Sequence, residues 1–389
     1  MEIKNKSKSF IAVVLTDPSL RRLIFFTVTS LIICFLPIYK AIRYIIVKEY
    51  GGLSPFNAIL YHCITNIIVI IIFYLVLLKK NIGGTTKEVI INRLKLKGKC
   101  VIVTGGYRGI GLAAVQEFLK YECHVVLACR SISHMDFVRA NLLKKHPDAK
   151  IYCVELDLGS YKSIESCANY ILKSFPKIDI IVNNAGFLNT KLEYINGLES
   201  TFFINYYGHF YLINLLYNRI LTSGTLIVNL SSIAHSLLKE SDVDYGFIYE
   251  NNNDNCSKSN LLYRKEYNFS KLCMLYYSQQ LQKRFEMQKS EACSVSINPG
   301  LVKSEFFRYE QSWFRAMCKN FAFPKTTLQG AQTILYVCLL DRRELAKGSY
   351  YSDCKLDYVR HYAKDIKKSE VKKMNPLKHA IIHVCVCLL

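Results

Sequence analysis

Tyr267 and Lys271 stand four residues apart in a segment of helical length. On a helix that spacing puts both side chains on one face. A phenol beside an ammonium is a proton-transfer pair. The unperturbed phenol, with a pKa near 10, is poorly matched to neutral pH. A neighbouring cation favours the phenolate and is expected to lower that value. Such a pair suits a reaction in which a hydride moves to or from a carbonyl carbon and a proton moves to or from its oxygen. Ser232, upstream at the end of an apolar run, is placed to hydrogen-bond the reacting oxygen. With 27 tyrosines in the chain, a lone Tyr-x-x-x-Lys carries little weight. Its meaning comes from what precedes it.

Thr104-Gly105-Gly106-Tyr107-Arg108-Gly109-Ile110-Gly111 follows a short apolar run and opens a stretch of helical periodicity (Leu112, Val115, Phe118, Leu119). A strand, a glycine turn and a helix form the setting in which such a turn binds a dinucleotide. The glycines let backbone approach the pyrophosphate, and the helix N-terminus offers N–H groups and the positive end of its dipole. The second apolar run ends Ala128-Cys129-Arg130-Ser131, without the acid that selects a ribose 2′-hydroxyl. Arg130 and Arg108 are instead two guanidinium groups that match a 2′-phosphate. The expected cofactor is NADP(H).

Six apolar runs begin the elements that must position these residues: Cys100 to Val103, His124 to Ala128, Ile151 to Val154, Ile178 to Val182, Thr225 to Leu230 and Cys293 to Ile297. Helical-length segments separate them. Buried strands alternating with helices predict an α/β fold, a doubly wound parallel sheet of the Rossmann type covered on both faces. The polar run Asn251-Asn252-Asn253-Asp254-Asn255 reads as a surface insertion.

The 389 residues are enough for one large domain or two small ones, and the net charge is +21. Clustered basic residues on a nucleic-acid module are not evident, so no nucleic-acid partner is expected. A basic surface facing anionic lipid fits the charge better. The 15 cysteines form no Cys-x-x-Cys pair and no zinc spacing. Reduced buried thiols in a reducing compartment are expected, with no metal.

Two apolar stretches precede the glycine turn. Residues 58–78 carry no formal charge and are long enough to cross a bilayer as a helix, and Lys79 and Lys80 close them. Residues 23–40 are shorter and include Thr27, Thr29, Ser30 and Pro37; they read either as a second span or as the apolar core of a signal sequence. Basic residues crowd the downstream side, from Lys79 to Lys97, which puts the remainder of the chain in the cytosol. The expected organisation is a membrane-anchor region at 1–96, a catalytic domain at 97–374 and an apolar tail at 375–389.

The motifs together resemble the short-chain dehydrogenase/reductase family: the glycine turn, Asp157, Asn183-Asn184-Ala185-Gly186, Asn205, Ser232, Tyr267, Lys271 and Asn298-Pro299-Gly300, in that order. Within it, Asn205-Tyr206-Tyr207-Gly208-His209-Phe210, the stretch from Asn229 to His235, Gln329-Gly330-Ala331-Gln332-Thr333 and Tyr351-Ser352-Asp353-Cys354 are similar to the retinol dehydrogenase branch. The resemblance implies Tyr267 as acid/base, Lys271 on the nicotinamide ribose, Ser232 on the reacting oxygen and Asn205 supporting a water in a proton relay. It implies that Asp157 contacts the adenine with Leu158 beside it, that Asn183, Ala185 and Gly186 line the cofactor, and that Thr104 braces the glycine turn. Pro299, Gly300 and Val302 would shape the nicotinamide pocket. Gly106 stands where the family has Ala, a change expected to cost little.

The insertion from Ile233 to Glu266 does not follow the branch, so the substrate stays open among a retinoid, a steroid and a long-chain or 3-ketoacyl carbonyl. The aromatic cluster Phe306, Phe307, Trp313, Phe314, Phe321 and Phe323 reads equally as a substrate lid or as core. The apolar end, with Cys385 and Cys387, reads as a frayed terminus or a membrane contact. The expected partners are a lipophilic small molecule, membrane lipid and a second copy of the chain in a homodimer. The expected place is the endoplasmic reticulum membrane, with the catalytic domain facing the cytosol. The rival to an oxidoreductase is a membrane scaffold that senses cofactor redox state without turnover.

Overall fold

The structure, a computed structural model, describes residues 63–64, 67–68, 70–71, 96–189, 192–238, 248–249, 265–303 and 325–359. Two compact units divide the chain, Met1–Lys80 and Asn81–Leu389. In the first, the described residues are helical, and Ile64, Ile67, Ile68 and Ile71 are exposed. Among the described residues no helix is long and apolar enough to cross a membrane. The rest of the expected spans, the Asn-rich run 251–255, the aromatic cluster 306–323 and the tail 375–389 lie outside the described residues.

The second unit is built on an eight-stranded sheet. All six apolar runs of the sequence are strands: β1 (Cys100–Thr104), β2 (His124–Cys129), β3 (Ile151–Glu155), β4 (Ile180–Asn183), β7 (Leu226–Leu230) and β8 (Cys293–Asn298). Between β4 and β7 a small antiparallel hairpin, β5 (Tyr194–Ile195) and β6 (Leu198–Glu199), forms a separate two-stranded sheet. The main sheet ends in β9 (Tyr350–Ser352) and β10 (Lys355–Leu356). Its order is β10-β9-β8-β7-β4-β1-β2-β3, parallel except for β10.

The central strands are largely apolar and buried because both faces are covered. In β1, Ile102 belongs to one core, while Val101 and Val103 belong to the other. The second core is closed by α1 (Gly109–Lys120), α2 (Ile132–Lys145) and α8 (Thr327–Leu339), which bring Phe118, Met135 and Ile334 to it. The first is closed by α3 (Tyr161–Ser174), α5 (Gly208–Leu215) and α7 (Lys265–Met287), with Ile171, Ile213 and Phe285. A short α4 (Ser200–Phe202) leads through a π-helical turn (Phe203–Tyr207) into α5, and α6 (Tyr217–Ser223) precedes β7.

Chain order reverses between β1 and β4, which lie side by side in register from Val101↔Ile180 to Val103↔Val182. The crevice at the C-terminal ends of the strands at such a switch point is where ligands bind in open α/β sheets.

Candidate active site

A cavity of about 1070 Å³ occupies that crevice. It lies just above the usual range for ligand pockets, roughly 300–1,000 Å³, so it has room for more than one small molecule. One end is the glycine turn. Gly105 has φ +66°, and a Cβ there would stand 3.0 Å from the Ala185 Cα. A Cβ on Gly111 would stand 2.5 Å from the Asn184 amide nitrogen and 2.6 Å from the Gly105 carbonyl oxygen. The turn is thus pressed against the Asn184-Ala185 loop, and the α1 N-terminus opens onto the cavity. Arg108 occupies the N-cap without a side-chain capping bond, and the first turn carries no acid. That electrostatic arrangement fits an anionic ligand.

The expected cofactor residues fall into two groups. Gly105, Arg108, Gly109, Ile110 and Gly111 line the cavity, as do Arg130, Asp157, Leu158, Ala185 and Gly186. So do Pro299, Gly300 and Val302 at the far end. Thr104, Asn183 and Asn205 are instead fully buried behind the wall. Asn183 does not reach the cavity as expected: it points into the sheet, and its amide donates to Asn229 Oδ1 at 2.7 Å. Thr104 braces the neighbouring loop rather than the glycine turn itself. Its hydroxyl accepts from the backbone of Asn184 at 3.0 Å and of Ala185 at 2.9 Å. The glycine turn is held by Asn184, whose side-chain amide donates to the Thr104 carbonyl at 2.8 Å and to the Gly105 carbonyl at 3.3 Å. A Cβ at Gly106 would meet Leu127 at 3.0 Å and Val115 at 3.2 Å, so the Ala of the family pattern is a tight fit here.

At the other end Tyr267 and Lys271 lie on the first turns of α7, and Ser232 follows β7. The Tyr267 phenol and the Ser232 hydroxyl are hydrogen-bonded. Lys271 Nζ lies 5.6 Å from the centre of the Tyr267 ring and donates to the Leu230 carbonyl at 2.9 Å. The three groups expected to react therefore converge.

In the protein by itself, burial sets the electrostatics of both groups. Burial pushes the Tyr267 phenol up to about 12, against a smaller lowering by the Ser232 hydrogen bond. Burial likewise holds the Lys271 ammonium down at about 8. The cause is common to both: a site poor in water penalises whichever form is charged. The ammonium alone does not make Tyr267 acidic. The protein holds a neutral phenol, ready to donate.

Several further residues support this arrangement. Ser231 donates to the Lys271 carbonyl at 2.7 Å and Ser270 to the Tyr267 carbonyl at 2.7 Å, fixing the start of α7. The Asn205 side chain holds the Phe187 backbone from both sides, accepting from its N–H at 2.9 Å and donating to its carbonyl at 3.0 Å; it also donates to Ser270 at 3.2 Å. The π turn that carries Asn205 is a feature common at functional sites. His235 Nδ1 lies 2.5 Å from the Ser232 carbonyl, and its ring stands edge-on to Tyr350 of β9. The described cysteines are all free.

The pattern of the short chain dehydrogenase family matches residues 99–246. Retinol dehydrogenase 11 of Homo sapiens is 32% identical over 286 residues, covering 71% of this chain and 84% of its own. The chain belongs to the short-chain dehydrogenase/reductase family. The chloroplastic short-chain dehydrogenase TIC 32 B of Brassica napus is 31% identical over 291 residues, covering 72% of this chain and 88% of its own. A structure of L-sorbose reductase from Gluconobacter frateurii with NADPH and L-sorbose superimposes with a TM-score of 0.50 at 21% identity, over 67% of this chain and 96% of that one. One from Mycobacterium paratuberculosis gives 0.53 at 20% identity, over 78% and 96%. At those identities the structures speak for the fold. Family membership and the retinol dehydrogenase relatives make the chain an oxidoreductase acting on CH–OH or C=O groups, in the retinol dehydrogenase-like branch.

Proposed function

We propose that this short-chain dehydrogenase/reductase is a membrane-anchored, NADP(H)-dependent enzyme that interconverts a lipophilic alcohol and its aldehyde or ketone. The observation that carries this reading is the convergence of Tyr267, Ser232 and Lys271 in the same cavity as the α1 N-terminus. The bound dinucleotide would supply or accept the hydride. In the reducing direction Ser232 orients the carbonyl oxygen and Tyr267 gives it a proton. Lys271 offsets the negative charge then left on the phenolate oxygen, and in the oxidising direction that phenolate takes the proton back. Arg130, exposed at the end of β2, and Arg108 in the turn support a 2′-phosphate and hence NADP(H). Ile233, Leu237 and Leu301, exposed around the Ser232 end of the cavity, support an apolar substrate. The names of the retinol dehydrogenase relatives make a retinoid the first substrate to try, ahead of a steroid or long-chain acyl carbonyl.

The apolar stretches 23–40 and 58–78 and the basic residues after them support an anchor with the catalytic unit on the cytosolic face, which we place at the endoplasmic reticulum. Retention of the full chain in the pellet after alkaline carbonate extraction checks the anchor; release into the supernatant overturns it.

Tyr267→Phe tests the chemistry. It should abolish NADPH oxidation with retinal while dinucleotide binding stays near the wild-type level. Unchanged turnover would remove Tyr267 from the reaction.

A further inference from the structure

His209 lies inside the first turn of α5 and is fully buried, yet both ring nitrogens face polar atoms. Nδ1 is 3.1 Å from the Asn205 backbone carbonyl, and Nε2 is 2.9 Å from the Thr104 hydroxyl. A carbonyl oxygen can only accept, so Nδ1 must carry a proton. The Thr104 hydroxyl already accepts from the Asn184 and Ala185 backbone N–H groups, which occupy its two lone pairs. Its single proton is then free to go to His209 Nε2; the alternative acceptor, the Val182 carbonyl, is farther at 3.4 Å. One tautomer satisfies every partner: protonated at Nδ1, bare at Nε2. A doubly protonated ring would place a third donor on Thr104 and a cation in a site closed to water.

The hydrogen bonds run in one line. The loop of Asn184 and Ala185, which borders the glycine turn and lines the cavity, donates to Thr104; Thr104 donates to His209; His209 donates to the carbonyl of Asn205 in the π turn. Asn205 in turn holds Phe187 and, through Ser270, the start of α7 where Tyr267 sits. We propose that His209 is a positioning residue that couples the dinucleotide-binding loop to the catalytic helix through one fixed tautomer. It touches neither substrate nor cofactor. The inference rests on the reading of the cavity as a dinucleotide site.

Two isosteric variants separate its two bonds. Asn can keep a donor where Nδ1 stands and loses the acceptor toward Thr104; Gln keeps an acceptor where Nε2 stands and loses the donor toward Asn205. The measurements are the NADPH dissociation constant by calorimetry on the full chain in detergent, turnover with NADPH and retinal, and a melting curve to establish folding. His209→Asn should weaken NADPH about tenfold, the worth of one buried hydrogen bond. Thr104→Val should weaken it as well, and the double variant should be no worse than the poorer single one, since both cut the same bond. His209→Gln should bind NADPH within about threefold of wild type and lose about tenfold in kcat. A purely structural role would lower melting temperature with unchanged affinity and turnover, and would overturn the proposal, as would additive losses in the double variant. If His209→Asn does not fold, His209→Gln decides alone: wild-type kcat, or a tenfold weaker NADPH, rejects the coupling. Failure of the wild-type chain to bind any nicotinamide dinucleotide would overturn the cofactor reading, and this inference with it.

Discussion

At the scale of single residues, burial is the largest influence on the charge states of the site. The Tyr267 phenol near 12 and the Lys271 ammonium near 8 are both shifted toward their neutral forms, because a site poor in water charges a penalty for either ion. His209 follows the same rule. Burial, opposed by its bond to Asn205 and aided by the Lys271 charge, holds its pKa down at about 3. The unfolded chain protonates this histidine near its ordinary 6.5, so between pH 6.5 and 3 the unfolded state binds the extra proton. Stability from this group is therefore complete above that window and is lost as the pH falls through it, by up to about 1.4 kcal/mol per pH unit. Urea unfolding of wild type and His209→Gln across pH 6.5 to 4 should show the wild type losing more. Arg130→Ala makes a different prediction: the NADPH dissociation constant should rise on the order of tenfold while that for NADH barely moves, since only the 2′-phosphate would lose a partner. Equal effects on both cofactors in a titration would remove Arg130 from that role. Ser232, Tyr267, Lys271 and the arginines were legible as residue types at telling spacings. The roles of Asn184, Ser270 and His209 were not: Asn184 and His209 stand within the family-like motifs, but what a supporting amide, hydroxyl or imidazole does is unreadable until its partners are known.

At the scale of elements, the glycine turn and α1 act as one part. A methyl group at Gly111 would overlap both the Asn184 amide and the Gly105 carbonyl. Gly111→Ala should then displace the turn, weaken dinucleotide binding at least about tenfold and lower the melting temperature; calorimetry and a melting curve read both. The six apolar runs gave strands because short segments dominated by β-branched and aliphatic residues, such as Val101–Val103 and Val125–Leu127, suit a strand covered on both faces. β9 was missed. Its three residues, Tyr350–Ser352, show no period, and they become a strand only by pairing with Ser296, Ile297 and Asn298 of β8. The hairpin of β5 and β6 was missed for the same reason, with two residues to a strand. The π turn at Asn205 lies beyond any periodicity argument, since it differs from α-helix by a single residue in the hydrogen-bond count.

At the scale of the whole catalytic unit, the sheet holds the two ends of the cavity at a fixed separation, and the cores on its two faces hold the sheet. Phe118 of α1 is fully buried against Val103 and its neighbours. Phe118→Ala should cost about 3–5 kcal/mol of unfolding free energy, read from a denaturant midpoint, and should loosen the α1 N-terminus. A loss below about 1 kcal/mol would mean that α1 is not pinned by this core.

The sequence by itself determined the class of fold, the positions of the six principal strands along the chain, the glycine turn and the pairing of Tyr267 with Lys271, because each is read from local pattern: a run, a turn or one helical repeat. Only the tertiary structure decided that Asn183 turns inward, that Thr104 serves the Asn184 loop, that His209 ties that loop to the π turn and that the Tyr267 phenol stays neutral. Those outcomes depend on which atoms lie within about 3 Å across long stretches of chain and on how much water they exclude. Neither quantity is written in any one segment.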